Sequence, residues 1–198
     1  MIIHEAKVLA ERYASYIQPA CSRLEIVGSV KRYERNDADC HDIEFLVIAD
    51  PKTLRPEFGQ KVIHKNMLHK VMFDLCEMGL LKFVKGKDKF RKYAILDIET
   101  FEPFHLELWI VTERTWGIQN VIRTGPKGFS HRFVMQKSLG GLLPDDHRYI
   151  KGETRIECDG VTLNLPEEAD ALAVLGLGWI EPKDRHRWAG NAPVGERW

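Results

Sequence analysis

The feature that most constrains how this 198-residue chain can fold is a glycine–serine pair followed, after a short polar gap, by a strand that opens with two carboxylates. The pair stands at residues 28–29, two basic residues follow at 31–32, and the apolar strand runs over 43–48. Because successive side chains of a strand point to opposite faces, Asp42 and Glu44 share one face of it. The apolar side chains that alternate with them then point to the other face, where we expect a core.

Two carboxylates held side by side repel each other unless a cation lies between them. Oxygen ligands at the start of a rigid strand, beside a turn the size of a phosphate, suit Mg²⁺ carrying a nucleoside triphosphate. A later strand, predicted over 104–111, alternates so that Glu107 lies on its polar face. A third carboxylate from a neighbouring strand is what a two-metal site requires. Asp42, Glu44 and Glu107 are therefore predicted as catalytic residues and as ligands of two Mg²⁺ ions, with Mn²⁺ as an alternative metal.

Phosphoryl transfer also needs donors that hold the β and γ phosphates of the nucleotide. Gly28 lets the backbone approach a phosphate closely, while Ser29 and Arg32 can donate hydrogen bonds to it. Lys31 is a weaker candidate for the same role. Each motif alone is ordinarily structural, since a Gly-Ser pair is usually a turn and an Asp-x-Glu at a strand start is usually a solvated edge. The order and spacing of the motifs together favour nucleotide chemistry.

The formal net charge of the chain is zero, so a nucleic-acid site can arise only from local clustering of basic residues. Residues 114–144 contain no aspartate or glutamate, and they include Arg123, Lys127 and Arg132. An acid-free basic segment of this kind is a candidate surface for the phosphate backbone of DNA. A second basic run, at 85–92, is more often the soluble tip of a hairpin than a DNA contact.

The four cysteines form no Cys-x-x-Cys pair, a spacing that argues against a zinc site and against a disulfide framework. Charged residues near the N-terminus interrupt any apolar signal segment, and no stretch is long enough to span a membrane. The sequence thus predicts a protein that is not secreted and needs no membrane and no obligate protein partner. Its expected location is the cytoplasm, or wherever DNA is accessible.

Hydrophobic periodicity predicts an α+β fold. We expect helices over 3–18, 61–78, 116–122 and 128–138, a hairpin over 80–96 and a second one around 159–160. The composition changes near residue 113, which predicts one domain over 1–113 and a smaller one over 114–198.

Four segments of the chain resemble the nucleotidyltransferase superfamily, and in particular the palm and thumb of family X DNA polymerases, which are DNA polymerase beta-like. The family patterns are Gly-Ser-x-Arg-Arg, Asp-Ile-Asp-Phe-Leu-Val, Val-Asp-Leu-x-Val-Val and Phe-Thr-Gly-Ser-Lys, and they correspond to residues 27–32, 42–47, 106–111 and 123–127. The chain departs from these patterns at Glu44 and Glu107, where the family has aspartates. Ile122 and Arg123 replace the aromatic residues that discriminate the sugar.

The resemblance implies a nucleotidyltransferase palm, a mixed β-sheet with helices packed on it, followed by a small α/β thumb subdomain. It implies a minimal DNA polymerase that adds dNMP from dNTP to the 3′ hydroxyl of a primer–template or gapped DNA, in repair or gap filling. It further implies that Thr124 and Gly125 form the floor under the nucleotide sugar. A palm and thumb without the family's N-terminal lyase-type domain would suit a virus or a phage.

Two other functions stay open on the sequence. One is a nucleotidyltransferase that acts on a hydroxyl group outside DNA, such as that of a small molecule, an RNA or a protein. The other is a catalytically silent module that binds DNA ends, which the two glutamate replacements keep in consideration.

Overall fold

The computed structural model describes residues 1–33, 38–51, 65–98 and 103–190. The chain forms two compact units. The first consists of Met1–Ile26 and Arg35–Val111, and the second of Val27–Glu34 and Thr112–Trp198. The larger segment of the second unit begins at Thr112. The unit also includes residues 27–34, which the sequence analysis assigned to the first domain.

The first unit is built on a five-stranded sheet with the strand order β1-β2-β5-β4-β3. The elements of this part of the chain are helices α1 (Ile3–Ile17) and α3 (Met67–Glu77) and strands β1 (Cys21–Val27), β2 (Asp42–Ala49), β3 (Leu81–Gly86), β4 (Phe90–Ile95) and β5 (His105–Ile110). β2 and β5 are parallel, whereas β4 is antiparallel to both β5 and β3. The sheet is therefore mixed, and its central parallel pair is joined by a long connection through α3 and the β3–β4 hairpin.

Helix α1 covers the sheet, packing against β2 and against α3. Its apolar positions recur at helical spacing, and the buried ones are Ile3, Ala6, Leu9, Ala10, Tyr13 and Ile17. On β2 the side chains of Ile43, Phe45 and Val47 are fully buried. Asp42 and Glu44 therefore lie on the face opposite to these three residues, as the alternation predicts, while the buried Leu46 and Ile48 share the acidic face.

Helix α3 has well-defined ends in its sequence. Asn66 caps its start, where the side-chain oxygen accepts a hydrogen bond of 2.9 Å from the backbone N–H of His69. Gly79 follows its end with a φ of 73°, a conformation that favours glycine over other residues.

The second unit combines helices with a three-stranded sheet in the order β6-β7-β8. Its elements are helices α2 (Gly28–Arg32), α4 (Trp116–Thr124), α5 (Lys127–Val134) and α6 (Glu168–Ala173), strands β6 (His147–Ile150), β7 (Arg155–Cys158) and β8 (Val161–Thr162), and a 3₁₀-helix, Pro182–Trp188. Its hydrophobic core draws side chains from α4, α5, α6 and β7, with Val121, Phe129, Phe133, Ile156 and Leu172 fully buried.

The α+β prediction is confirmed, and most of the predicted elements are present. Two local features were predicted wrongly or missed. The residues after Val27 form the short helix α2 rather than a tight turn, and the strand β6 was not predicted. The first residues of the predicted helix over 61–78 lie outside the described residues.

Among the helices that the structure describes, none combines the length and the apolar character needed to cross a bilayer.

Gly117 provides a test of the packing in the second unit. A Cβ atom at this position in α4 would lie 2.2 Å from the carbonyl oxygen of Glu167 and 2.5 Å from that of Leu165, both on the backbone. Gly117→Ala should therefore lower the free energy of unfolding by about 1–3 kcal/mol, although alanine normally favours a helix. Urea denaturation followed by circular dichroism measures this change.

Gly178→Ala is the matched control, because a Cβ atom there meets nothing within 4 Å. We expect this variant to stay within about 0.5 kcal/mol of the parent protein. Equal stabilities of the two variants would contradict the packing described for α4.

Candidate functional site

The three predicted carboxylate ligands share one face of the central strand pair of the first unit. In the parallel register of β2 and β5, Glu44 lies directly opposite Glu107, and Asp42 lies opposite His105. Paired residues on adjacent strands point to the same face of a sheet, and their strands are about 4.8 Å apart. The carboxylates at 42, 44 and 107 are all partly buried. The fold thus brings together acidic residues that are more than 60 positions apart.

Lys92, on the neighbouring strand β4, pairs with the third of these carboxylates. It lies opposite Glu107 in the antiparallel register, and its Nζ is 3.0 Å from Glu107 Oε1. The two side chains are only 21 % and 16 % exposed, so water screens their attraction less than at the surface. The sequence placed Lys92 in a generic basic hairpin and did not predict this role. Only the strand register could have revealed it.

His105 belongs to the same face, opposite Asp42 and two residues along β5 from Glu107. Burial lowers the pKa of His105, and the nearby Lys92 lowers it further, while Glu107 opposes the change. Burial and Lys92 both favour the neutral form of the imidazole.

The donor atoms on this face are of the kind that a hard divalent cation binds, but among the described residues the three carboxylates do not form a group whose ligand atoms all lie within 4.8 Å of one another. The three side chains offer carboxylate oxygens, which Mg²⁺ and Mn²⁺ prefer to nitrogen or sulfur. They come from two rigid, adjacent strands, so their backbone positions are set by the hydrogen bonds of the sheet. A divalent ion between such carboxylates would reduce the repulsion among them.

In the second unit, three of the predicted nucleotide-binding residues lie together. The guanidinium of Arg32 donates a hydrogen bond of 2.5 Å from Nη1 to the carbonyl oxygen of Thr124. The same Nη1 lies beside Gly125, 3.2 Å from where a Cβ atom of that residue would be. Arg32 is thereby held at the end of α4, next to the two residues that are predicted to support the nucleotide sugar. Gly28, which begins α2, is buried and has a φ of 73°, so the backbone here requires glycine.

Lys31 points into a buried charge cluster. Its Nζ donates to Asn120 Oδ1 at 2.9 Å and to Glu168 Oε2 at 2.8 Å. The other oxygen of Glu168 accepts a hydrogen bond of 2.7 Å from Nη1 of Arg185, whose side chain is fully buried. Arg185 also lies over the rings of Phe129 and Trp179. Lys31 is thus an internal anchor of the second unit.

The three residues predicted to bind DNA differ in how available they are. Lys127, at the start of α5, is exposed. Arg123 is partly buried, and its Nε donates to Gln119 at 3.1 Å. Arg132 donates a hydrogen bond of 3.1 Å from Nε to the carbonyl oxygen of Gly140 and one of 2.7 Å from Nη1 to that of Trp188. These two N–H groups therefore already bind acceptors within the fold.

No model of a known protein family matches this chain, and no curated protein is significantly similar to it.

The charge cluster around Glu168 leads to a stability prediction. Glu168→Gln would leave Lys31 and Arg185 buried without their shared counter-charge, so the free energy of unfolding should fall by about 3–5 kcal/mol. Denaturant unfolding of the purified protein measures the change.

Glu153→Gln provides the comparison, because Glu153 pairs with Arg155 while its own side chain is 60 % exposed. An exposed pair of this kind contributes less than about 1 kcal/mol. A loss at Glu168 no larger than at Glu153 would show that the buried cluster does not stabilise the fold.

Proposed function

We propose that this protein is a nucleotidyltransferase, and specifically a small DNA polymerase of the family X type. It adds a nucleoside monophosphate from a dNTP to the 3′ hydroxyl of a primer and releases pyrophosphate, with gap filling or repair as its setting. One observation carries the proposal: the parallel register of β2 and β5 puts Asp42, Glu44 and Glu107 on one face of one sheet. Two adjacent acids followed by a third on a neighbouring strand is the arrangement that two-metal phosphoryl transfer uses.

In this proposal, Asp42 and Glu44 would hold both Mg²⁺ ions, and Glu107 would contribute to one of them. When bound, the metal ions would neutralise charge on the triphosphate and make the hydroxyl more acidic. The reaction forms a bond between the primer O3′ and the α phosphorus and breaks the bond from that phosphorus to the pyrophosphate oxygen. Glu107 accepts a hydrogen bond from the hydroxyl and assists its loss of a proton.

The second unit supplies the groups proposed to bind substrate. Gly28, Ser29 and Arg32 hold the triphosphate. Arg32 does so through the N–H groups of its guanidinium that do not bind the carbonyl oxygen of Thr124. Thr124 and Gly125 support the sugar at the end of α4. For DNA, the exposed Lys127 is the strongest candidate, whereas Arg123 and Arg132 already have partners within the fold.

Lys92 adds a role that the sequence motifs do not contain. Its ammonium group lies 3.0 Å from Glu107 and orients that carboxylate before any metal binds. The same positive charge opposes the binding of a divalent cation to the same face. Lys92 is thus a positioning residue that is expected to increase turnover and to weaken metal affinity.

The carboxylate assignment is tested by Asp42→Asn, Glu44→Gln and Glu107→Gln in a Mg²⁺-dependent extension assay on gapped DNA. Each variant should lower kcat/KM for dNTP by at least about 100-fold, because each removes a charge from the metal site. Glu77→Gln is the control, since Glu77 is an exposed acid at the end of α3 and should leave the rate unchanged.

Two outcomes would reject the polymerase. Transfer to small-molecule, RNA or protein hydroxyls without extension of DNA would identify a different acceptor. Binding of gapped DNA without any Mg²⁺-dependent use of dNTP would identify a silent DNA-binding module. Retained extension in any of the three carboxylate variants would refute the assigned roles.

The variant Lys92→Met distinguishes the two proposed effects of Lys92, which are the orientation of Glu107 and the repulsion of a divalent cation. We expect Mn²⁺, followed by electron paramagnetic resonance, to bind about tenfold more tightly to this variant, because a competing positive charge is gone. At saturating metal, the extension rate should nevertheless fall about tenfold, because Glu107 has lost its positioning partner. Lys82→Met, at an exposed site on β3, should change neither quantity. Unchanged Mn²⁺ affinity in Lys92→Met would contradict this role.

A further inference from the structure

A second group of possible ligands lies in the second unit, away from the proposed catalytic carboxylates in the chain. Asp146, His147 and Cys158 each offer one ligand atom, and these atoms all lie within 4.8 Å of one another. His147 and Cys158 are partly buried, whereas Asp146 is exposed. Among the residues that the structure describes, no other set of three or more histidine, cysteine and acidic side chains has its ligand atoms this close together.

Strand pairing brings these residues together. In the antiparallel register of β6 and β7, His147 lies directly opposite Cys158, so both side chains project from the same face of the hairpin. Asp146 directly precedes β6, and its carbonyl oxygen accepts a hydrogen bond of 3.3 Å from the backbone N–H of Asp159, just after β7. The sequence argued against zinc because it has no Cys-x-x-Cys spacing, but a cross-strand pair leaves no such spacing to detect.

The ring of His147 already contacts a carboxylate through one of its nitrogens. Asp146 Oδ1 lies 2.7 Å from His147 Nδ1, which leaves Nε2 of the ring as the nitrogen available to an ion. Metal-binding histidines usually make this contact to a carboxylate through their other ring nitrogen. The backbone of β6 is held as well, because Gln136 Nε2 donates to the carbonyl oxygens of Asp145 and His147, both at 2.9 Å.

The charges around the thiol also favour a cation. Asp146 and Asp159 both lie close enough to Cys158 to interact with it electrostatically. Their carboxylates would attract a metal ion, which would bind the thiolate directly. Imidazole and thiolate are ligands that select zinc rather than Mg²⁺ or Ca²⁺.

We propose that the β6–β7 hairpin binds one zinc-class transition-metal ion through His147 and Cys158, with Asp146 orienting the histidine or completing the ligand set. Water fills the remaining positions, so the site is open and weaker than a four-ligand structural zinc site. Its ligand chemistry differs from that of the all-oxygen face around Asp42, and it does not depend on the proposed polymerase function.

The test uses the full chain, freed of metal by a chelator and then titrated with Co²⁺ and with Zn²⁺. We expect one equivalent of Co²⁺ to produce the near-ultraviolet absorption of a cobalt–thiolate bond, and Zn²⁺ to displace it. Cys158→Ser should abolish the band, and His147→Ala should weaken binding at least about tenfold. Asp146→Asn should weaken it about 10–100-fold, the usual effect of removing such a carboxylate. Cys76→Ser, at another partly buried cysteine, should bind as the parent does.

A second measurement keeps the test decisive if a variant fails to fold. In the unmodified protein, Zn²⁺ should slow the alkylation of Cys158 by iodoacetamide, read by peptide mass spectrometry, and leave the alkylation of Cys76 unchanged. Absence of the cobalt–thiolate band in the parent protein, its persistence in folded Cys158→Ser, or equal protection of both cysteines would each overturn the proposal.

Discussion

The parallel pairing of β2 with β5 is the interaction on which the candidate active site depends. Its register places Glu44 opposite Glu107, and the two-residue repeat of the strand puts Asp42 on the same face. A slip of one residue would turn Glu107 to the opposite face and expose its apolar neighbours. The buried side chains of β2 and β5 therefore hold the acidic residues in place, because the hydrophobic face can be buried in only one register.

Partly buried carboxylates in both units are compensated by cations that lie far away in the sequence. In the first unit Lys92 pairs with Glu107, and in the second unit Glu168 binds both Lys31 and Arg185. The two pairings have different consequences. The three-residue cluster pairs its carboxylate with two cations inside the unit and contributes to the stability of that unit. The pair at Glu107 lies on the sheet face proposed to bind a divalent ion, where Lys92 acts on one of the proposed ligands.

Local patterns predicted the elements well where a single periodicity dominates. Helix α1, strand β2 and the β3–β4 hairpin follow from hydrophobic spacing and turn residues. The prediction of a tight turn at Gly28 was wrong because a short helix and a turn share the same glycine start. The four-residue β6 was missed because its alternation is too short to stand out, and its partner β7 supplies the hydrogen bonds that define it.

The sequence by itself determined the α+β class, the two-sided character of β2 and β5, and the three acidic candidates, because side-chain alternation along a strand is local. Only the tertiary structure decided which strands are neighbours. It paired Lys92 with Glu107, enclosed Lys31 beside Glu168, and set His147 opposite Cys158. These pairings join residues 11 to 137 positions apart. Register and burial are properties of the folded chain, so no local pattern could reveal them.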